Sequence, residues 1–257
     1  MRRLALSLAF CVSALTAQAD TEGERLFDAM GIPALVAAFA EDGRQTIPEI
    51  DAGFLGGQGG DVFFETAQRL YDPARIEEEL RSSFIRRVDP RDARQALVFF
   101  DSAQGQRIVE IEVQARQAIV DDAVEAAAKA ASDSPGAEVE RLISVRDLVE
   151  VNTDISVAAR FAFYDGFHAA APSTDTPDVE GQRGTIAEET RAWITGYYML
   201  VASAVEDDDL DIYAAFWETD VGQGVDAALS QAFEESYVAL SYGLGQTVGR
   251  LMPQNDL

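Results

Sequence analysis

Cysteine, histidine and lysine each occur once, as Cys11, His168 and Lys129, and each scarcity removes a class of function. One cysteine forms no intrachain disulfide and no Cys-x-x-Cys redox or metal pair. One histidine excludes His-Glu-x-x-His, and no Gly-x-Ser-x-Gly accompanies it. A single lysine among 20 basic residues, against 45 acidic ones and a formal net charge of −25, leaves no basic stripe for nucleic-acid phosphates or for an anionic membrane surface. Past the first residues no run reaches the roughly 18 apolar residues of a membrane span, since 34–40 and 197–205 are both too short.

The first residues read as an export signal. Arg2 and Arg3 precede an apolar run at 4–15, and Ala17-Gln18-Ala19 ahead of Asp20 has the small-residue spacing of a cleavage site. Cleavage after Ala19 would send the chain by a general secretory route to the periplasm. The alternative, a lipoprotein signal at Leu8-Ala9-Phe10-Cys11, puts bulky Phe10 where a small residue is wanted. The mature chain is then cysteine-free, and acidic enough for self-repulsion to favour a soluble monomer.

What is present is helical periodicity, with the alternation of strands absent, so the expected class is all-α with no sheet. Leu26, Met30, Leu35, Ala38 and Phe39 share a face, interrupted at Gly31 and Pro33. Asp42-Gly43 opens a glycine-rich loop to Gly60. No strand precedes Gly56-Gly57-Gln58-Gly59-Gly60 and no Lys-Ser/Thr follows it, so it reads as a connector and not as a phosphate cradle. Asp72-Pro73 and Asp89-Pro90 each offer an N-cap and a first-turn proline. Ile108, Ile111, Ala115, Ile119 and Ala123 describe one long helix, with Arg107, Glu110, Gln114 and Gln117 toward solvent. Beyond the Ser132-Asp133-Ser134-Pro135-Gly136 linker, Leu142, Val145, Leu148, Val149, Ile155, Ala159 and Phe163 suit another long helix closed by Gly166. A loop at 172–184 follows, and 186–205 reads as the most buried helix of the second half.

One stretch recurs. Phe99-Phe100-Asp101-Ser102-Ala103-Gln104-Gly105-Gln106 returns as Phe216-Trp217-Glu218-Thr219-Asp220-Val221-Gly222-Gln223, in register without a gap from Leu80 against Tyr197. Ser102 and Thr219 are the residue types that cap a new helix, and Asp101 and Glu218 lie beside the positive end of its dipole. Gly105 and Gly222 each cost about 1 kcal/mol of helix propensity relative to alanine, which points to closely crossing backbone at a tight elbow. The expected organisation is therefore a tandem duplication: signal 1–19, helical unit 20–131, linker 132–138, and helical unit 139–257. The aromatic-aromatic-acid-Ser-x-x-Gly-Gln unit with Arg107-Ile108-Val109 resembles the bacterial DUF2059 family, well over 80–128 and more loosely over 201–237. The family's proline after the cap serine is here Ala103 and Asp220. The resemblance implies a secreted helical protein and supplies no catalytic residue.

The ten elbow residues, Phe99, Phe100, Ser102, Gly105 and Gln106 with Phe216, Trp217, Thr219, Gly222 and Gln223, are thus read as structural. His168, in Gly166-Phe167-His168 near a helix end, suits a cap or the surface. Asp207, Asp209, Asp211 and Glu218 have the spacing of a calcium loop, but the sharp turn that such a loop needs falls on Ile212 within a helical pattern, so an acid-rich helix start is the reading. Asp121, Asp122, Glu125, Glu234 and Glu235 suit solvated helix faces. Trp193, Tyr197, Tyr198, Trp217, Phe233, Tyr237 and Tyr242 recur at helical spacing as core, or alternatively as a groove for an apolar ligand or peptide. No catalytic, cofactor or metal set emerges. The expectation is a non-enzymatic module binding a small apolar ligand or a protein; the alternative is an enzyme built on carboxylates or a divalent cation.

Overall fold

The computed structural model describes residues 21–171 and 177–252, so the expected signal segment and part of the 172–184 loop lie outside the described residues. Residues 21–29 are helical (α1), and eleven further α-helices follow, with no strand among the described residues. They are α2 (Ile32–Ile50), α3 (Gly60–Leu70), α4 (Pro73–Arg87), α5 (Pro90–Phe100), α6 (Ala103–Ala118), α7 (Asp122–Ala131), α8 (Ala137–Val145), α9 (Leu148–Ala170), α10 (Arg183–Ala202), α11 (Asp207–Trp217) and α12 (Asp220–Leu251).

Four starts, at Asp72, Asp89, Ser102 and Thr219, are set by the local chemistry read from the sequence. Asp72 and Asp89 accept from the first-turn N–H groups of α4 and α5, with Pro73 and Pro90 at the opening positions. Gly31, at φ 69°, separates α1 from α2.

Three stretches differ from expectation, each for a local reason. The 43–60 loop is mostly helix: Gly43 lies inside α2 under the Tyr71 ring, and only after Pro48, which has no N–H to donate, does α2 pass into a π turn over Asp51–Leu55. The long helix from Ala103 stops at Ala118, because the Asp121 carboxylate accepts from Ala123 and Val124 N–H and starts α7. The helix through Leu142 and Phe163 is two, broken at Asp147 with φ 48°, and α9 then runs past Gly166 to Ala170.

Gly166 is not a helix stop but a crossing point. A methyl group there would fall on the Tyr242 carbonyl oxygen, and one at Gly245 on that of Phe163, so α9 and α12 touch backbone to backbone. In consequence α12 buries more residues than α10. Side chains from both halves, from Leu26 to Val248, then merge into one main apolar core, with a small separate cluster of Val157, Val179 and Ile186.

The two elbows are built alike. Ser102 Oγ accepts from Gly105 N–H at 2.9 Å and donates to the Phe99 carbonyl at 2.6 Å; Thr219 Oγ1 repeats this with Gly222 at 3.0 Å and Phe216 at 2.7 Å. Gln106 Nε2 donates to the carbonyls of Phe100 and Ala29, and Gln223 Nε2 to those of Trp217 and Val145. Arg25 pairs with Asp101 and Arg141 with Glu218, both at 2.8 Å. The elbows also face one another, with the Phe99 and Phe216 rings stacked at 4.8 Å and 11°.

A methyl at Gly105 or Gly222 would meet the carbonyl oxygen of Phe99 or Phe216. Gly105→Ala and Gly222→Ala are therefore expected to lose about 1–3 kcal/mol of stability despite better helix propensity. Ser102→Ala should lose about 1 kcal/mol with its cap. Urea unfolding followed by circular dichroism measures all three, and parent-like midpoints would show that the elbows do not hold the fold.

Candidate functional site

Between the two halves lies a cavity of about 330 Å³. α2, α4 and α12 give it an aliphatic wall including Ile32, Leu35, Val36, Leu80 and Leu240. α10 and α11 bring Trp193, Tyr197, Tyr198, Tyr213 and Trp217 to the other side, and α6 contributes Glu112 and Arg116. The lining is thus largely apolar and aromatic, with its charged groups Glu112, Arg116 and Arg146 gathered on one part of it.

The polar end is organised around charges taken out of water. Arg146, the residue that ends α8, donates through Nε and Nη2 to Asp226 Oδ1 at 3.0 and 2.6 Å, and through Nη1 to the Tyr198 hydroxyl at 2.9 Å. Its guanidinium lies 4.2 Å over the Trp217 ring, and the side chains of the Arg146–Asp226 pair are each only 10% exposed. Glu112 is buried beside them. Its Oε2 accepts from the Tyr213 hydroxyl at 2.7 Å, and its backbone carbonyl accepts from the Tyr197 hydroxyl at 3.1 Å.

Burial pushes the Glu112 carboxyl above its ordinary range, against the opposing pull of Arg146 and the Tyr213 and Tyr198 hydroxyls. Burial likewise raises the hydroxyls of Tyr197, Tyr198 and Tyr213, so all three stay neutral donors. One turn along α6, Arg116 Nη2 reaches Asp42 at 2.8 Å and its guanidinium lies 5.4 Å from the Trp193 ring centre. Two buried N–H donors on cavity-lining residues find no partner: Arg116 Nη1 and Trp217 Nε1.

The chain matches no family model, no curated protein and no solved structure. The site therefore rests on its own geometry.

Of the elbow residues, Phe100 and Trp217 line the cavity; Phe99, Ser102, Gly105, Gln106, Phe216, Thr219, Gly222 and Gln223 do not. Six of the seven recurring aromatics line it, whereas Tyr242, the seventh, is 39% exposed on α12 with its hydroxyl accepting from Gln246, and so is no part of a core. The acids at calcium-loop spacing are held by other side chains: Asp209 by Gln104 and Arg107, Asp211 and Glu218 by Arg141. The Asp207 side chain lies outside the described residues, among which no group of three or more acids, histidines or cysteines gathers at metal-binding range.

His168 lies in the last turn of α9 against Phe167, away from the cavity lining. Glu235 accepts from Ser83 and pairs with Arg87, and that hydrogen bond holds its carboxyl below the usual range. Asp121 caps α7, and Glu125 pairs with Lys129.

Glu112, Arg116, Arg146 and Asp226 escaped the sequence reading. A signal was present for two of them, because Glu112 stands four residues after Ile108 and three before Ala115, on the apolar face of α6, and Arg116 follows one turn later.

An acid whose native pKa lies above its unfolded value stabilises the fold fully at low pH. That contribution declines as pH rises from the ordinary value of 4.5 toward the higher native value. Glu112→Gln removes the titration. The variant should match the parent in acid and become relatively more stable through that window, which denaturant midpoints across a pH series would detect; parallel curves would place Glu112 outside the coupling.

Proposed function

We propose that this chain is a non-enzymatic binding protein that holds a small apolar ligand in the cavity between its two halves. The observation that carries the reading is a lining apolar and aromatic over most of its surface, with polar groups converging at one end, the composition typical of small-molecule sites. At about 330 Å³ the space sits at the lower end of the roughly 300–1,000 Å³ such sites occupy.

One observation favours an enzyme: a buried acid with a raised pKa is what a general acid requires. However, Glu112 is engaged by Tyr213 and faces Arg146, and no serine, cysteine, lysine or histidine nucleophile stands with it among the lining residues apart from the hydroxyls of Ser230 and Ser236. Ser236 is itself committed to the Ala232 carbonyl. Binding is the simpler use of the arrangement.

The same proposal places the protein in the periplasm as a monomer, released by cleavage after Ala19, and relates it to the DUF2059 family. It also takes the chain as a tandem duplication of units 20–131 and 139–257 joined by 132–138. Supporting the duplication, Arg25, Ala29 and Gly31 stand to one elbow as Arg141, Val145 and Asp147 stand to the other, through equivalent ion pairs, hydrogen bonds and left-handed residues.

Titration with the neutral fluorophore N-phenylnaphthylamine tests the cavity. Saturable one-to-one binding is expected, abolished by Val36→Phe, which projects a ring into the space while keeping an apolar surface. Absence of saturable binding, or equal binding by Val36→Phe, would overturn the reading.

A further inference from the structure

Resting on the reading of the cavity as a ligand site, we infer that its occupant is an amphiphile of the medium-chain carboxylic acid class, its acidic end toward Arg116 and Trp217 and its tail along the aliphatic wall. The inference comes from the inventory of polar atoms left over. Three buried side-chain nitrogens or oxygens among the described residues lack a hydrogen-bond partner: Arg116 Nη1, Trp217 Nε1 and His168 Nε2. The first two belong to the cavity lining, and His168 does not. Both are N–H donors, and no buried acceptor of the lining is left without a partner.

Leaving a buried donor unpaired is costly, and water or a ligand supplies the missing acceptor. Trp217 is 1% exposed, so its N–H cannot turn to bulk solvent. Both donors belong to residues of the lining but are themselves covered by protein, so a modest shift of either side chain would bring its N–H to an acceptor on something that also fills the apolar space.

Charge narrows the choice further. A cationic amphiphile would bring its charge beside the Arg116 and Arg146 guanidiniums, which already lie over the Trp193 and Trp217 rings of the lining. The nearby carboxylates do not oppose an incoming anion: Asp226 is bound by Arg146, Asp42 by Arg116, and burial favours the neutral form of Glu112. Arg116 uses one terminal nitrogen on Asp42 and keeps the other, so its guanidinium can bridge Asp42 and a ligand carboxylate. Behind that end, Leu35, Val36, Leu80, Leu229 and Leu240 offer only methyl and methylene surface to a chain.

The test uses the full chain without its export segment, dodecanoate, dodecyltrimethylammonium with the same tail and the opposite charge, and N-phenylnaphthylamine as the neutral reporter. Dodecanoate, below its micellar concentration, is expected to displace the reporter at least about tenfold more effectively than the ammonium, the worth of a charge-assisted hydrogen bond. Trp217→Phe keeps a ring and removes the N–H; Arg116→Met keeps a stem and removes the donors. Both should lower the affinity for dodecanoate relative to that for the reporter, measured on the same variant, by about tenfold.

Ammonium binding equal to or tighter than dodecanoate, or variants that hold dodecanoate as the parent does, would sink the acid-end inference while leaving the cavity reading intact. Failure of the parent to bind the neutral reporter at all would sink the cavity reading itself. If either variant does not fold, the comparison of dodecanoate with dodecyltrimethylammonium on the parent still decides.

Discussion

Five helices meet at one guanidinium. Arg146 ends α8, binds Asp226 of α12 and Tyr198 of α10, covers the Trp217 ring of α11, and sets the electrostatic surroundings of Glu112 on α6. Removing an ion from water costs several kcal/mol unless its partners are fixed in place, and removing one partner of such a pair typically costs 3–5 kcal/mol. The helices around Arg146 are thus held to a geometry that satisfies it, and that requirement, more than apolar burial, gives the polar end of the cavity its shape. The equivalent position of the other half differs: Met30, which precedes Gly31 as Arg146 precedes Asp147, is an apolar side chain on the same cavity. Two elbows of like construction consequently enclose a space with unlike ends.

Local rules explain why part of this was legible beforehand. Caps and first-turn prolines act within a few residues, so Asp72-Pro73, Asp89-Pro90, Ser102 and Thr219 could be placed from their neighbours alone. The elbow glycines were legible because the same costly residue recurred in the same context. Helix continuity was less so. Gly43 and Gly166 look like breaks in one dimension, yet each is required by a partner distant in sequence, Tyr71 in one case and the Tyr242 carbonyl in the other.

Conversely, Asp147 shows no turn signature beyond its tolerance of the left-handed region, and periodicity ran straight through it. The candidate site was legible in its apolar half only. The recurring aromatics announced themselves by spacing, with an apolar-ligand groove as their second reading. The polar half depends on Asp226 and Arg146, 80 residues apart in the chain, meeting Glu112 from the first half, and among so many acidic residues nothing local marks Glu112 or Asp226 as buried.

A continuous α12 has a consequence for how anything reaches the cavity. At 32 residues it is about 48 Å long, and it lies against α3, α4 and α5 of the first half as well as α9 and α11 of the second. A beam spanning both halves forbids the clamshell opening by which many two-lobed proteins exchange their cargo. On the proposed binding reading, exchange then draws on the existing mouth of the cavity and on local loosening of the shorter helices around it, whose free energy is set by their own caps and packing. On the same reading, residence time is then tied to fold stability, and conditions that firm up the helices slow both capture and release.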